Sequence, residues 1–366
     1  MNNLQAPLVS IVTPMHNEAQ HLVECIESVI RQTYTNWEYI IVDNCSTDQS
    51  LKIARNYAAS DHRIRVVQND RFLKAIPNHN AALRQTSPVS KYCKVVFADD
   101  WIFPECIEQM VSLAEVHPSV GLVGAYGLEG QEVVWTGLPY PSTVVPGATV
   151  CRRLFQDGLY VFGTATSVLY RADLVRSRDQ FFDVDDVHSD MDVCIALLKQ
   201  CDFGFVHQVL TFTRVREGSR ITASRNINTL AASKLKHLTR HGLYFLDAQE
   251  FTSCLSKSIS EYYEYLGNSF LRGRDKYFWE FHKDAFHKAS VHFSRAKLLK
   301  AILKNLVLAS LNLENSIKKL RNARSRPRPA SERDETVYHE TGSEENTAQS
   351  RPGQCANGGP QQRYTS

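Results

Sequence analysis

The sequence predicts an α/β protein with a mainly parallel β-sheet, flanking helices and a C-terminal helical extension. Between Leu8 and about His117, short apolar runs alternate with longer segments of helical period, which is typical of consecutive βαβ units. Residues 225–320 lack strand alternation and contain few turn residues, which predicts helices there. The 366 residues, 43% of them apolar, suffice for one large core and an appended region.

Four strands and three helices are predicted in the first third of the chain. The strands are assigned to the apolar runs 8–13, 38–42, 63–68 and 93–98. The helices are assigned to the segments between them, 18–32, 48–58 and 77–85. In the first helix the apolar residues recur on one face: Leu22, Cys25, Ile26, Val29 and Ile30. Ser46 or Thr47 is expected to cap the second helix.

The rest of the chain divides into three kinds of sequence. Residues 121–158 are rich in Gly, Pro and aromatic residues, with strand-like pieces at 121–126 and 131–135, and predict a loop-rich region. A helix over 190–201 and a strand over 203–215 close the α/β domain near Thr222. We therefore predict an α/β domain over 1–222, a helical extension over 223–320 and a disordered tail over 321–366, whose polar composition buries too little apolar surface to fold.

Composition and charge exclude several classes of protein. A formal net charge of +3 and a pI near 8.3 are too mild for a dedicated nucleic-acid-binding protein, so no nucleic-acid partner is expected. Nine scattered cysteines without a CxxC pair are typical of reduced thiols. The sequence shows no signal peptide and no run of about 20 apolar residues. We therefore expect a cytoplasmic protein, free or on the inner face of a membrane.

Acidic residues follow the predicted strands or open a later helix. In an open parallel sheet, ligands bind beyond the carboxyl ends of the strands. The acidic residues at these places are Glu18, Asp43, Asp99, Asp100, Asp190 and Asp192. Carboxylates in such positions suit a hard divalent cation or act as proton acceptors.

Three segments of the chain together resemble the family-2 glycosyltransferases of GT-A fold. They are VSIVTPMHNE from Val9, SVIRQTYTNWEYIIVDNCSTDQS from Ser28 and KVVFADDWIFP from Lys94, and their order and spacing fit over roughly residues 8–220. The resemblance implies a nucleotide-diphosphate-sugar donor, an inverting displacement and a divalent cation, Mn²⁺ or Mg²⁺. It leaves the acceptor open among glycans, lipid-linked compounds and other hydroxyl compounds.

The resemblance places the cation and the diphosphate at Asp99 and Asp100. A divalent cation held by carboxylates neutralises the charge of a departing nucleotide diphosphate. The family motif is commonly Asp-x-Asp-Asp, whereas Phe97 stands at its first position here, so the carboxylate that often contacts the ribose is missing. Asp99 is expected to be the principal metal ligand. The simpler interpretation is that both aspartates cap the following turn.

The donor pocket is assigned through the same resemblance. Asp43 matches the family's aspartate that accepts a hydrogen bond from the base ring, with uracil the usual base and thymine and guanine open. Glu18 and the backbone of Thr13 and Pro14 are expected to border this pocket. Arg216 stands where relatives carry a histidine, and it is expected to contact the diphosphate, because a guanidinium binds phosphate but does not ligate a cation. For Ser46 and Asp48, helix capping is preferred over ligand contact.

The predicted general base is Asp190. It matches the aspartate of the family's Glu-Asp motif, with Ser189 in place of the glutamate, and an inverting transfer needs one base to take the proton of the acceptor hydroxyl. Three upstream residues compete for the role: Asp183, Asp185 and Asp186. Asp192 is expected to cap or orient within its helix.

Two other functions remain as alternatives. A degenerate GT-A domain would bind a nucleotide sugar or a partner without turnover, although Asp43, Asp99, Asp100 and Asp190 are all present. A Rossmann dehydrogenase is disfavoured because the first turn lacks GxGxxG. Donor-dependent nucleotide release separates the three.

Residues 294–320 predict an amphipathic helix. Apolar residues recur there at helical spacing: Leu299, Ile302, Leu303, Leu306, Ala309, Leu313, Ile317 and Leu320. Lysines and arginines lie between them, which suits peripheral contact with an anionic membrane surface. Packing of the same stripe against protein is the equal alternative.

Overall fold

A computed structural model of the chain describes residues 6–215 and 227–311. The strands are β1 Val9–Met15, β2 Trp37–Asp43, β3 Ile64–Gln68, β4 Tyr92–Val95, β5 Trp101–Ile102, β6 Val120–Glu129, β7 Glu132–Val134, β8 Val144–Val145, β9 Leu169–Arg171 and β10 Asp202–Thr213. The helices are α1 Leu22–Ile30, α2 Ser50–Ser60, α3 Ala75–Leu83, α4 Cys106–Val116, α5 Gly147–Asp157, α6 Ala172–Arg176, α7 Ser189–Leu197, α8 Thr229–Phe245, α9 Ala248–Phe270, α10 Lys276–Lys288 and α11 Arg295–Leu311.

The strands form one mixed sheet in the order β3-β2-β1-β4-β9-β6-β10-β5, with β7 beside β6 and β8 beside β10. Pairing is parallel between β3, β2, β1 and β4 and between β6 and β10. The short strand β9 lies antiparallel between β4 and β6. The carboxyl ends of β1, β2 and β4 therefore meet at one edge of the sheet, which is where ligands bind in open α/β sheets. The predicted mainly parallel α/β architecture is confirmed.

Both faces of the sheet are buried. Alternate residues of β1 and β2 enter different cores: Ile11, Tyr39 and Ile41 face helices α1, α2 and α4, whereas Val12 and Ile40 face helices α3, α5, α6 and α7. This alternation follows from the two-residue period of a strand, and coverage of both faces is typical of parallel sheets.

Two predicted boundaries are wrong for local reasons. Helix α1 begins at Leu22 and not at residue 18, because Asn17 has a positive φ of 54° and the chain turns there, with the N–H of His21 bonded to the carbonyl of Glu18. Strand β4 ends at Val95 and not at residue 98. The N–H of Phe97 leaves the ladder and donates to the hydroxyl of Thr166 at 3.2 Å.

The predicted cap of the second helix is also wrong. Helix α2 begins at Ser50 after Gln49, whose side chain makes no capping hydrogen bond. Neither Ser46 nor Thr47 occupies the N-cap position. Asp48 instead accepts a hydrogen bond from the N–H of Ser50 at 2.9 Å, so its carboxylate satisfies one of the free N–H groups at the start of this helix.

Helices α8 to α11 confirm the predicted helical extension over its described part. They share a core that includes Leu235, Tyr262, Leu266, Phe278 and Phe286. Helix α9 begins with a complete capping box between Asp247 and Glu250. The predicted domain boundary at 222 and the tail 321–366 lie outside the described residues. Within the described ranges, no helix has both the length and the apolar character needed to cross a bilayer.

Candidate active site

The loops that follow β1 and β2 are joined by side-chain hydrogen bonds. Oδ1 of Asn17 accepts from the N–H of Thr47 at 2.8 Å. Asp48 accepts from the N–H of Ala19 at 3.0 Å, and the hydroxyl of Ser50 accepts from the N–H of Glu18 at 2.8 Å. Asp48 thus accepts hydrogen bonds from backbone N–H groups of both loops, which agrees with the helix-capping role predicted for it. The paired loops form a fixed rim beside Asp43.

Asp43 ends strand β2 and is fully buried. Its carboxylate accepts hydrogen bonds from the N–H of Ser46 at 3.2 Å and from Nε2 of Gln68 at 3.3 Å. These are long hydrogen bonds, at or beyond the ordinary range. The carboxylate therefore lies at the carboxyl edge of the sheet with acceptor capacity beyond what these bonds use.

The predicted neighbours of Asp43 differ in what they can offer a ligand. The hydroxyl of Thr13 donates to the carbonyl of Val96 at 2.7 Å and is fully buried, so this side chain faces the core. Pro14 lies in register with Val42 inside the sheet. Glu18 is only half-buried at the loop rim. Arg216 lies outside the described residues.

Asp99 and Asp100 are adjacent in sequence but differ in their surroundings. Asp100 is 3% exposed; it accepts from the hydroxyl of Thr166 at 2.8 Å and from the N–H of Arg214 at 3.0 Å. Burial, with the neighbouring charge of Asp99, raises the pKa of Asp100 to about 7. Asp99 is half-buried. Its carbonyl accepts from Nε of Arg214 at 3.0 Å.

This pair fits a divalent cation. Burial raises the pKa of Asp100 and the neighbouring charge of Asp99 raises it further; a cation bound to both carboxylates would offset these effects. Mn²⁺ or Mg²⁺ in nucleotide enzymes is often held by one or two carboxylates together with the phosphates of the substrate. Asp99 and Asp100 would hold the cation in this way.

A buried lysine supports the same site from behind. Lys94 is fully buried in β4, and its Nζ donates to the carbonyl of Thr166 at 2.6 Å. Burial lowers the pKa of Lys94. Through Thr166, Lys94 holds the hydroxyl that contacts Asp100. Its signal in the sequence is a single charge inside the apolar run of β4.

Asp190 lies in the first turn of α7 and is half-buried. Burial raises the pKa of Asp190 to about 6, and the nearby charge of Asp186 adds to this effect. The N–H of Met191 donates to its Oδ1 at 2.9 Å. No ion pair joins Asp190 to another residue in the described ranges. A carboxylate of this kind is suited to accept a proton near neutral pH.

The acidic neighbours of Asp190 are paired with helix α8. Asp186 accepts from Nε2 of His237 at 2.8 Å, and Asp192 accepts from Nε2 of His241 at 2.9 Å. Asp183 lies 3.1 Å from Nζ of Lys236. Because Asp183 and Asp186 already have these partners, they are less suited than Asp190 to accept a proton. Asp185 is exposed.

The same contacts bring three ligand-type side chains together away from Asp99. Ligand atoms of Asp186, Asp192 and His237 lie within 4.8 Å of one another. Lys236 and Arg240 already stand 3.3 Å and 3.1 Å from these carboxylates. Their positive charges already neutralise the two carboxylates, as a bound cation would. We therefore interpret the group as an ionic anchor for α8.

Residues 10–178 match the family model described as glycosyl transferase family 2. Among curated proteins, the putative glycosyltransferase EpsE of Bacillus subtilis is 31% identical over 153 residues, which are 40% of this chain and 54% of EpsE. The putative teichuronic acid biosynthesis glycosyltransferase TuaG of the same organism is 32% identical over 127 residues, 34% of this chain and 49% of TuaG. The chain thus spans about half the length of these relatives.

Solved structures support the fold assignment. The structure of S. aureus TarS, residues 1–349, in complex with UDP-GlcNAc matches with a TM-score of 0.59 at 16% identity, over 77% of this chain and 80% of that one. A likeness at this identity concerns the fold alone. Residues 10–178, a little under half of the chain, thus match glycosyl transferase family 2, and the fold is that of the GT-A glycosyltransferases.

Proposed function

We propose that the protein is an inverting glycosyltransferase that moves a sugar from a nucleotide-diphosphate donor to a hydroxyl acceptor. The observation that carries the proposal is the distribution of four aspartates. Asp43, Asp99 and Asp100 follow β2 and β4 at one edge of the sheet, and Asp190 opens α7 with a raised pKa of about 6. Each has surroundings that suit a different part of the reaction.

The donor is proposed to be a UDP-sugar. The buried carboxylate of Asp43 is a directional acceptor, suited to the ring N–H of uracil. UDP-GlcNAc and UDP are the ligands named for the TarS structures, which supports this choice over GDP- or TDP-sugars. From the sequence alone, Arg216 is proposed to contact the diphosphate. Glu18 and the backbone of Thr13 and Pro14 are proposed to border the base.

Asp99 and Asp100 are proposed to hold Mn²⁺ or Mg²⁺. When bound, the cation neutralises charge on the departing diphosphate. Asp99 presents the more exposed carboxylate and Asp100 the more constrained one, since Thr166 and the backbone of Arg214 hold the latter in place. The side chain of Arg214 also pairs with Glu24, so this guanidinium is a structural brace beside the two aspartates.

Asp190 is proposed to be the general base. The acceptor oxygen attacks the anomeric carbon on the face opposite the diphosphate, the bond from that carbon to the diphosphate breaks, and ionised Asp190 takes the hydroxyl proton. Inversion follows from the single displacement. The pairing of Asp183, Asp186 and Asp192 with helix α8 supports Asp190 over its neighbours.

A binding module without turnover is the second candidate function. It is favoured by Phe97 and Ser189, which replace two acidic residues of the family motifs. Calorimetric titration with UDP, GDP and TDP, with and without Mn²⁺, tests nucleotide binding, which both functions require. Tighter binding of UDP in the presence of Mn²⁺ supports a UDP-sugar site, and absence of nucleotide binding would contradict both functions. Turnover separates the two candidates.

The acceptor is proposed to be a glycan or a lipid-linked compound at the cytoplasmic face of a membrane. Helix α11 packs Ala301 against Gly267 of α9, so the packed-helix interpretation holds for one face. A different face presents Leu299, Leu303 and Leu306, which are 58%, 53% and 47% exposed. Lysines such as Lys300 and Lys304 flank this stripe. Exposed apolar residues beside lysines suit an anionic bilayer surface.

A further inference from the structure

Trp135 has a strained backbone in the middle of the region predicted to be loop-rich. It directly follows strand β7 and has a positive φ of 66°. A bulky residue is rarely found in this conformation, and such strain persists where the surroundings hold the residue for a purpose. Trp135 is only half-buried, so its indole is accessible from one side.

Two glycines make room for the indole. A Cβ atom at Gly127 would lie 2.9 Å from Nε1 of Trp135, and a Cβ atom at Gly163 would lie 2.8 Å from the same nitrogen. Contacts this short do not occur in folded proteins, so any larger residue at either position would displace the ring. The fold therefore reserves this space for Trp135.

Two hydroxyl groups beside the indole are buried and unsatisfied. Ser167 and Thr211 are each 1% exposed, and neither hydroxyl has a hydrogen-bond partner among the residues that the structure describes. Oγ1 of Thr211 lies 3.0 Å from the same Gly127 Cβ position that approaches Trp135. The Ser167 side chain adjoins Gly163 in the same manner. Buried hydroxyls are normally hydrogen-bonded, so this pair points to a polar ligand.

The group lies beside the proposed metal pair. Ser167 follows Thr166, whose hydroxyl contacts Asp100 at 2.8 Å. On the other side, the ring of Tyr160 lies 5.3 Å from that of Trp135.

The position of the Trp135 group in the sheet favours binding of the acceptor over binding of the donor. Gly127 belongs to β6 and Thr211 to β10, in register with each other. Asp43 ends β2, and β1, β4 and β9 separate β2 from β6. The nucleotide and the Trp135 group thus occupy opposite halves of the sheet. The sugar-transfer step takes place between them.

We infer that Trp135, together with the hydroxyls of Ser167 and Thr211, forms a subsite for a pyranose ring of the acceptor. The apolar face of the indole packs against the C–H face of the ring, and the two hydroxyls bond to sugar hydroxyls. The acceptor is therefore a glycoside that presents a sugar, and not a simple lipid alcohol. This inference rests on the proposed transferase function.

The test compares sugar binding with donor hydrolysis in the same protein. Saturation-transfer NMR on the full chain loaded with UDP and Mn²⁺ measures binding of methyl β-pyranosides of glucose, galactose and N-acetylglucosamine. Release of UDP from UDP-glucose, UDP-galactose and UDP-GlcNAc without acceptor reports the donor site. Trp135→Ala is expected to weaken pyranoside binding by about tenfold or more, with donor hydrolysis within about twofold of wild type. Trp135→Phe is expected to restore part of the binding.

Thr211→Val is the conservative variant, since valine keeps the shape and removes only the hydroxyl. We expect pyranoside binding to weaken by about fivefold, the loss of one hydrogen bond, while the melting temperature stays equal or rises, because an unsatisfied buried group is removed. Thr252→Val on helix α9, whose hydroxyl donates to a helix carbonyl, is the control and should change neither.

The outcomes distinguish failure of the proposed subsite from failure of the proposed transferase function. Wild-type protein that hydrolyses a donor but binds none of the pyranosides, or variants that bind them as wild type does, would overturn the subsite alone. Protein that neither binds UDP nor hydrolyses any donor would overturn the proposed function itself.

Discussion

Nε2 of His241 donates to Oδ1 of Asp192 at 2.9 Å, and this bond connects helix α8 to the turn that carries Asp190. Both side chains are buried, and Nη1 of Arg240 lies 3.1 Å from the other carboxylate oxygen of Asp192. The helical extension therefore positions a turn of the α/β domain. Asp192 has a structural role, whereas Asp190, two residues earlier, is the proposed general base.

Asp192→Asn is predicted to destabilise the fold by about 2 kcal/mol, because a buried carboxylate loses its charge and with it the strength of its hydrogen bonds. Burial acts to raise the pKa of Asp192, but the hydrogen bond from His241 and the charges of His237, His241 and Arg240 lower it overall. A lowered carboxyl pKa contributes stability that is lost as the pH falls through it. Urea unfolding between pH 3 and 7 should show a smaller acid-dependent loss in Asp192→Asn than in wild type. Equal stability of the two proteins at pH 7 would contradict the anchor.

Asp190→Asn is predicted to lower turnover by about 10² to 10⁴ while donor binding persists, the usual range for loss of a general base. The base must be ionised, and burial raises the pKa of Asp190 to about 6. Turnover of the wild type should therefore fall as the pH is lowered through 6, and the variant should lack that limb of the profile. Asp192→Asn should lower turnover much less. If the two variants ranked in the opposite order, the base would be Asp192.

Asp43→Ala is predicted to weaken donor binding and relax base preference, because one directional acceptor leaves the base pocket. Turnover at saturating donor should suffer less than affinity. Competition of UDP, GDP and TDP against the donor measures the preference. Asp61→Ala, a change in an aspartate paired with Arg63 away from the site, is the control. Identical selectivity in Asp43→Ala and wild type would refute the placement of Asp43.

The double variant Leu299→Asp, Leu303→Asp is predicted to abolish flotation with phosphatidylglycerol-rich vesicles at low salt, since it places two charges in the apolar stripe of α11. Wild type should float with these vesicles and not with pure phosphatidylcholine, each nearby lysine contributing about 1 kcal/mol. Leu243→Asp, on an exposed position of α8, is the matched control. Wild-type protein that ignores anionic vesicles would leave α11 with packing as its only role.

The fold could be predicted because its first four strands and three helices carry clear periodicity. Apolar residues recur at the two-residue spacing of strands and the 3.6-residue spacing of helices because one face of each element is buried. Ile11 and Cys25 are fully buried, as this pattern predicts. Boundaries failed where a single residue changes the chain direction. Asn17 takes a positive φ, and nothing in the apolar pattern marks such a turn.

The site was only partly predictable because several roles depend on distant residues. Asp183 and Asp186 could not be separated from Asp190 by sequence, since their partners lie on α8, about 50 positions further along the chain. The support of Asp100 by Thr166 joins residues 66 positions apart. Trp135 had no periodic pattern to identify it, and its significance lies in Gly127, Gly163 and two hydroxyls that only the fold brings together.

The most direct measurement of the central claim is donor-dependent release of nucleotide by the wild-type protein and by Asp99→Ala, with and without Mn²⁺ and excess chelator. The account predicts release of UDP from a UDP-sugar that requires the cation, stops with the chelator and is lost in Asp99→Ala, because a primary carboxylate ligand is missing. Glu24→Ala, which removes only the partner of Arg214, should retain release. Undiminished release in excess chelator, or equal release by Asp99→Ala and wild type, would contradict a metal-dependent transferase at this site.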